Sequence, residues 1–96
     1  MSANAAFAQN FNKKLLENKW ITVSVNGNNA TKSTIVIGFS ETNLTIDDVS
    51  TPYKLNGSEI TFNAGPKKVI WEILKLTKKQ LIIRNEDKLI IKMKKI

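Results

Sequence analysis

The sequence predicts an all-β fold, a small antiparallel up-and-down meander barrel of about eight short strands with a short α-helix at its N-terminus. Three observations lead there. From Trp20 onward, short runs of β-branched and aromatic residues are separated by turn signals spaced roughly every 8 to 12 residues, the rhythm of a sandwich or barrel. The connections between runs are too short for the crossover that a parallel pair requires. Helical spacing of apolar residues occurs at the N-terminus and nowhere else.

Phe7, Phe11 and Leu15 recur every four residues, with Ala8 and Leu16 beside them and Gln9, Asn10, Asn12, Lys13 and Lys14 on the other side. Ser2 or Asn4 is placed to cap this helix, and the two lysines suit the negative end of its dipole. A helix this short is marginal alone, so its apolar stripe is expected to dock on the rest of the chain. Residues 1–18 are therefore read as a docking helix and 19–96 as the barrel, one domain overall. The expected strands are Trp20–Asn26, Thr34–Phe39, Asn43–Asp47, Pro52–Leu55, Glu59–Asn63, Lys68–Leu76, Gln80–Arg84 and Lys88–Lys94. Asp48-Val49-Ser50 is read as a turn. Asn56-Gly57 is the strongest hairpin signal, because a type I′ turn needs positive φ at both central residues.

Alternation selects an inward set of Ile35, Ile37, Phe39, Leu44, Ile46, Tyr53, Leu55, Ile60, Phe62, Val69, Trp71, Ile73, Leu81, Ile83, Leu89, Ile91 and Met93. Ile70, Leu74, Ile82 and Ile90 break the pattern by falling on the nominal outside. They form a candidate patch, to be covered by the N-terminal helix or by a protein partner. Trp20, just after the helix, is expected to plug the closed end.

Composition bounds the chemistry. The 96 residues contain no cysteine and no histidine, so thiolate or imidazole metal sites and Ser-His or Cys-His nucleophilic pairs are out of reach. Asp47 and Asp48, adjacent where a strand runs into its turn, would point to opposite faces and could not frame a scissile bond. Glu86 and Asp87 lack the patterned loop of a calcium site. No catalytic residue, metal site or cofactor is expected, and the chain reads as no enzyme. The net charge of +7 is uneven: residues 1–48 hold Lys13, Lys14, Lys19 and Lys32 against Glu17, Glu41, Asp47 and Asp48, so the whole excess lies in the second half. For nucleic acid, the lysines are present but the aromatic residues alternate inward, away from them, and Arg84 is the one arginine. No apolar run is long enough for a spanning helix.

The motifs Leu16-x-x-x-Trp20-x-x-x-Ser24-Val25-Asn26-Gly27, Ile37-x-Phe39, Tyr53-x-Leu55-x-Gly57-x-x-Ile60-Thr61-Phe62 and Trp71-x-Ile73-x-Lys75-Leu76-Thr77-x-x-x-Leu81 resemble the small lipocalin-like domains of secreted proteins and lipoproteins in Bacteroidetes-type bacteria. The opening Trp20 to Gly27 also resembles the META domain of heat-shock-related envelope proteins, without that domain's Gly-Cys-Asn segment. The lipocalin-like resemblance spans residues 15 to 96. It implies an eight-stranded barrel, a periplasmic, secreted or outer-membrane-associated location and, by fold analogy, a small apolar ligand. Without an upstream leader the chain is expected in the cytoplasm. Inside such a barrel Phe39, Tyr53, Phe62, Trp71 and Met93 are the candidate ligand-binding residues, with the polar tips of Tyr53 and Trp71 orienting the guest. A protein partner at Ile70, Leu74, Ile82 and Ile90 is the competing expectation, and a nucleic-acid partner the weakest.

Overall fold

The computed structural model describes residues 11–29 and 35–96. Phe7, the cap at Ser2 or Asn4, and Thr34 lie outside these residues. One helical turn, α1 (Lys13–Leu16), precedes nine strands: β1 (Lys19–Val25), β2 (Asn28–Asn29), β3 (Val36–Phe39), β4 (Asn43–Ile46), β5 (Val49–Asn56), β6 (Glu59–Ala64), β7 (Lys67–Leu76), β8 (Gln80–Arg84) and β9 (Ile90–Lys95). β2 is a two-residue arm folded back on the end of β1. The other eight strands pair antiparallel in the order β1-β3-β4-β5-β6-β7-β8-β9, and β9 returns to β1 to close the barrel.

Up-and-down order sends alternate connections to opposite ends. One end carries α1, the turns β3–β4, β5–β6 and β7–β8, and the C-terminus. The other carries the turns β1–β2, β4–β5, β6–β7 and β8–β9. α1 is a single turn held by its caps: the Asn12 side chain accepts from the Lys14 amide at 3.0 Å, and Asn18 Nδ2 donates to the Leu15 carbonyl at 2.9 Å. One turn has too few hydrogen bonds to stand alone, so its stability comes from Leu16, which is fully buried. The expected stripe is thus corrected at its end. Phe11 packs against the core, but Leu16 and not Leu15 is the residue sealed inside.

The turns refine the sequence reading. Asn26 and Gly27 both have positive φ (50° and 83°), the type I′ pattern, and the Asn26 side chain also accepts from the Ile90 amide at 2.8 Å, tying this turn to β9. Asp47 and Asp48 are not strand residues. They are the central pair of a second I′ turn, with φ of 50° and 67°, and Val49 and Ser50, read as a turn, belong to β5. The Asn56-Gly57 hairpin is displaced by one residue: Asn56 pairs with Glu59, and Gly57, at φ 59°, is the first central residue of a type II′ turn.

The interior follows the predicted alternation closely. Ile37, Phe39, Leu44, Tyr53, Ile60, Phe62, Val69, Trp71, Ile73, Leu81, Ile83 and Met93 are buried, while Ile46, Leu55 and Ile91 pack against them partly exposed. Ile35 departs from it; one residue short of β3, it is 43% exposed. Trp20 occupies the place expected of it. It is fully buried at the α1 end, and its indole N–H donates to the Leu16 carbonyl at 3.0 Å.

Candidate functional site

The two ends of the barrel differ in chemistry. At the α1 end, Leu16 and Trp20 fill the opening, and backbone bonds stitch it shut: the Phe39 amide donates to the Asn18 carbonyl at 2.9 Å and the Ile96 amide to the Lys19 carbonyl at 3.1 Å. The Tyr53 hydroxyl donates to the Ser40 carbonyl at 2.7 Å in the β3–β4 turn. Lys13 Nζ lies 5.4 Å from the centre of the Tyr53 ring and donates to the Glu41 carbonyl. Burial, and secondarily the negative charge of Glu17, push the Tyr53 pKa up to about 12. This end is a built closure.

The opposite end is open. A cleft of about 250 Å³ lies between β4, β5 and β6, lined by Ile46, Val49, Ser50, Thr51, Phe62, Asn63, Ala64 and Gly65. Val49 is 68% exposed, an aliphatic side chain held in water at the lip of the barrel. Such exposure is unremarkable singly, but here Ile46, Val49 and the buried Phe62 meet in one concavity.

The expected ligand-binding residues Phe39, Tyr53, Phe62, Trp71 and Met93 are all buried inside the barrel. They form two edge-to-face pairs, Phe39 with Tyr53 at 5.2 Å and Phe62 with Trp71 at 4.8 Å between ring centres. Phe62 reaches the open cleft. Tyr53 has its polar tip committed to the closed end, whereas Trp71 Nε1 is buried without a hydrogen-bond partner, the one such side-chain atom among the described residues. Buried donors are normally paired; this one lies behind the Phe62 ring and does not itself line the cleft. Sequence reasoning missed Val49 because it was assigned to a turn. Ile46 was read correctly as inward, but nothing local to it shows that the barrel ends there.

The outer wall of β7, β8, β9 and β1 has a second character. Ile70 and Leu74 are 43% and 37% exposed, and Ile82 and Ile90 are partly exposed. α1 lies at the closed end and does not cover them. Cross-strand register sets one of them, Ile82, between lysines: Lys75, Ile82 and Lys92 lie in one row, and Gln80, Lys94 and Ile21 in the next. Arg84 on this wall pairs with Glu72 at 2.7 Å, both half exposed, the one ion pair among the described residues.

Diametrically across the barrel, an open groove of about 910 Å³ follows the outer face of β3 and β4, bordered by Glu17, Lys19, Gly38, Thr45, Asp47 and Asp48 and by the apolar Val36, Phe39 and Ile96. Its carboxylates do not converge: among the described residues no group of three or more acidic side chains could hold a metal ion. Among the same residues, no helix is long and apolar enough to cross a membrane. Comparison of the chain with family models, curated proteins and solved structures returns no match.

Proposed function

We propose that the chain is a non-enzymatic binding module that takes a small, largely apolar molecule at the open end of its barrel, through the cleft formed by Ile46, Val49 and Phe62. The observation that carries this reading is the asymmetry of the barrel interior: it is sealed at one end by Leu16 and Trp20, while at the other the inward-facing Ile46, Val49 and Phe62 line an open cleft. Covering that carbon with a guest recovers about 25 cal/mol for each Å² removed from water. A barrel plugged at one end and open at the other is also the arrangement that the lipocalin-like resemblance leads one to expect.

The cleft lies just under the roughly 300–1,000 Å³ usual for drug-sized ligands, which restricts the guest to a small molecule. The interior beneath it is occupied by side chains, so the guest sits in the mouth and not deep in the barrel. Ser50, Thr51 and Asn63 give the site its polar preference: they are the polar side chains of the lining that a carbonyl, ether or hydroxyl oxygen on the guest would meet.

A calorimetric titration with small alkyl and aryl ketones, beside hydrocarbons of the same size, tests the proposal. The ketones are expected to bind more tightly than the hydrocarbons. Val49→Asp, which alters an exposed side chain and so leaves stability within about 0.5 kcal/mol, is expected to weaken both by about tenfold, because binding then strips water from a carboxylate. Absence of binding to the wild type, or binding indifferent to Val49→Asp, would overturn it.

A further inference from the structure

We infer that the outer wall of β7, β8, β9 and β1 is a second, separate site, which seats the protein on an anionic lipid surface. The register makes this wall. Side chains opposite one another on paired strands point the same way, so Lys75, Ile82 and Lys92 form a continuous cation–aliphatic–cation row across three strands, and Lys94 beside Ile21 extends it onto β1. Adjacent strands are about 4.8 Å apart, which puts Lys75 and Lys92 roughly 10 Å from each other with an isoleucine between them. The acids at the wall lie along its borders: Glu72 is neutralised by Arg84, Glu59 stands opposite Glu72 on β6, and Glu86 and Asp87 are in the β8–β9 turn, away from the lysine rows.

The side-chain types decide between partner classes. Protein interfaces deplete lysine at their centres and draw their affinity from tryptophan, tyrosine and arginine, and this wall offers lysine and aliphatic carbon instead. Single-stranded nucleic acid needs outward aromatic platforms, but Phe39, Tyr53, Phe62 and Trp71 all face the core. An anionic bilayer asks for neither. It rewards lysine as a point charge, by about a fivefold factor in partition for each one near the surface, and it accepts short aliphatic groups at the headgroup level. Ile70 and Leu74 are those groups.

Charge across the barrel fixes the orientation. In the eight-strand ring β4 lies opposite β8, and the groove on β4's side carries three carboxylates, Glu17, Asp47 and Asp48, against one lysine, Lys19. A protein with lysines on one wall and carboxylates on the opposite one approaches a negative surface wall first. The lip of the barrel at Val49 stays clear of that wall, so the two sites are independent.

Co-sedimentation of the full chain with vesicles tests the inference, using phosphatidylcholine alone and phosphatidylcholine mixed with phosphatidylglycerol, at low and physiological salt. The expected result is partition onto the mixed vesicles that falls steeply with salt, and little onto phosphatidylcholine alone. Lys75→Gln/Lys92→Gln/Lys94→Gln is expected to lose roughly a hundredfold in partition, the product of three fivefold factors. Because all three side chains are exposed, circular dichroism should show the variant folded as the wild type. Ile70→Ser/Leu74→Ser is expected to weaken partition while leaving its salt dependence unchanged. Equal partition onto both vesicle types, an unaffected triple variant, or release by inorganic phosphate at matched ionic strength would overturn the inference. Tighter binding to a single-stranded oligonucleotide or to an acidic protein than to the vesicles would also overturn it.

Discussion

Truncating Leu16 to alanine tests whether α1 is a closure or a surface appendage. Leu16 is fully buried at the foot of the barrel, and its carbonyl receives the indole N–H of the equally buried Trp20. The substitution removes the side-chain carbon without touching that carbonyl, so the loss is one of packing. Fully buried leucines cost about 2.7 to 5.0 kcal/mol when cut to alanine, the larger values where the surroundings cannot collapse. Here the hole is bounded by the Trp20 ring and by strands fixed in a closed ladder, and some relief is available from the single-turn helix, which gives about 3 kcal/mol. For a domain of this size that is a large share of total stability and lowers the melting temperature by roughly 12 to 24 °C. Urea unfolding followed in parallel by tryptophan fluorescence and far-UV circular dichroism measures it. Leu15→Ala, on the neighbouring and partly exposed position, is expected to cost less than about 1 kcal/mol. A Leu16→Ala loss below about 1 kcal/mol, or equal losses at the two positions, would refute the closure.

Tyr53 gives a pH signature. With its folded pKa raised to about 12 from 10.0, the native state holds a proton that the unfolded state releases, so its contribution is fully present below pH 10 and is lost as pH rises toward 12. Tyr53→Phe should remove that part of the alkaline decline in stability, seen as a flatter curve of urea midpoint against pH; superimposable curves would count against it. Lys88 sits at φ 64° in the β8–β9 turn, where a Cβ is disfavoured, so Lys88→Gly is expected to stabilise the protein by about 1 kcal/mol in the same urea assay. A destabilised variant would show that the lysine side chain holds the turn by other means.

Much of the fold was legible because it is written in local patterns. Period-two alternation marked the inward face of β6, β7 and β8 almost residue for residue, since a sheet buried on one side enforces it. Where the reading slipped, a longer-range constraint decided. Asp47-Asp48 lacks glycine, yet it turns left-handed because Ile46 must pair with Val49. The Asn56-Gly57 hairpin moved by one position because the register of β5 on β6 sets Asn56 opposite Glu59. Closure of β9 onto β1 joins the two ends of the chain and has no local signal at all. The candidate site was half visible: the aromatic interior could be named, but the mouth at Ile46 and Val49 depends on which end α1 seals. The cationic wall needed the cross-strand register before its lysines and isoleucines could be put in rows.

The most direct test of the account is to map where a small ketone perturbs the amide and indole resonances of the isotopically labelled protein. Binding in the mouth predicts shifts confined to Ile46, Val49, Thr51, Phe62 and Ala64, while the Trp20 indole at the sealed end stays unmoved. Shifts centred on Trp20 and α1, or spread over the outer wall with the mouth silent, would contradict it.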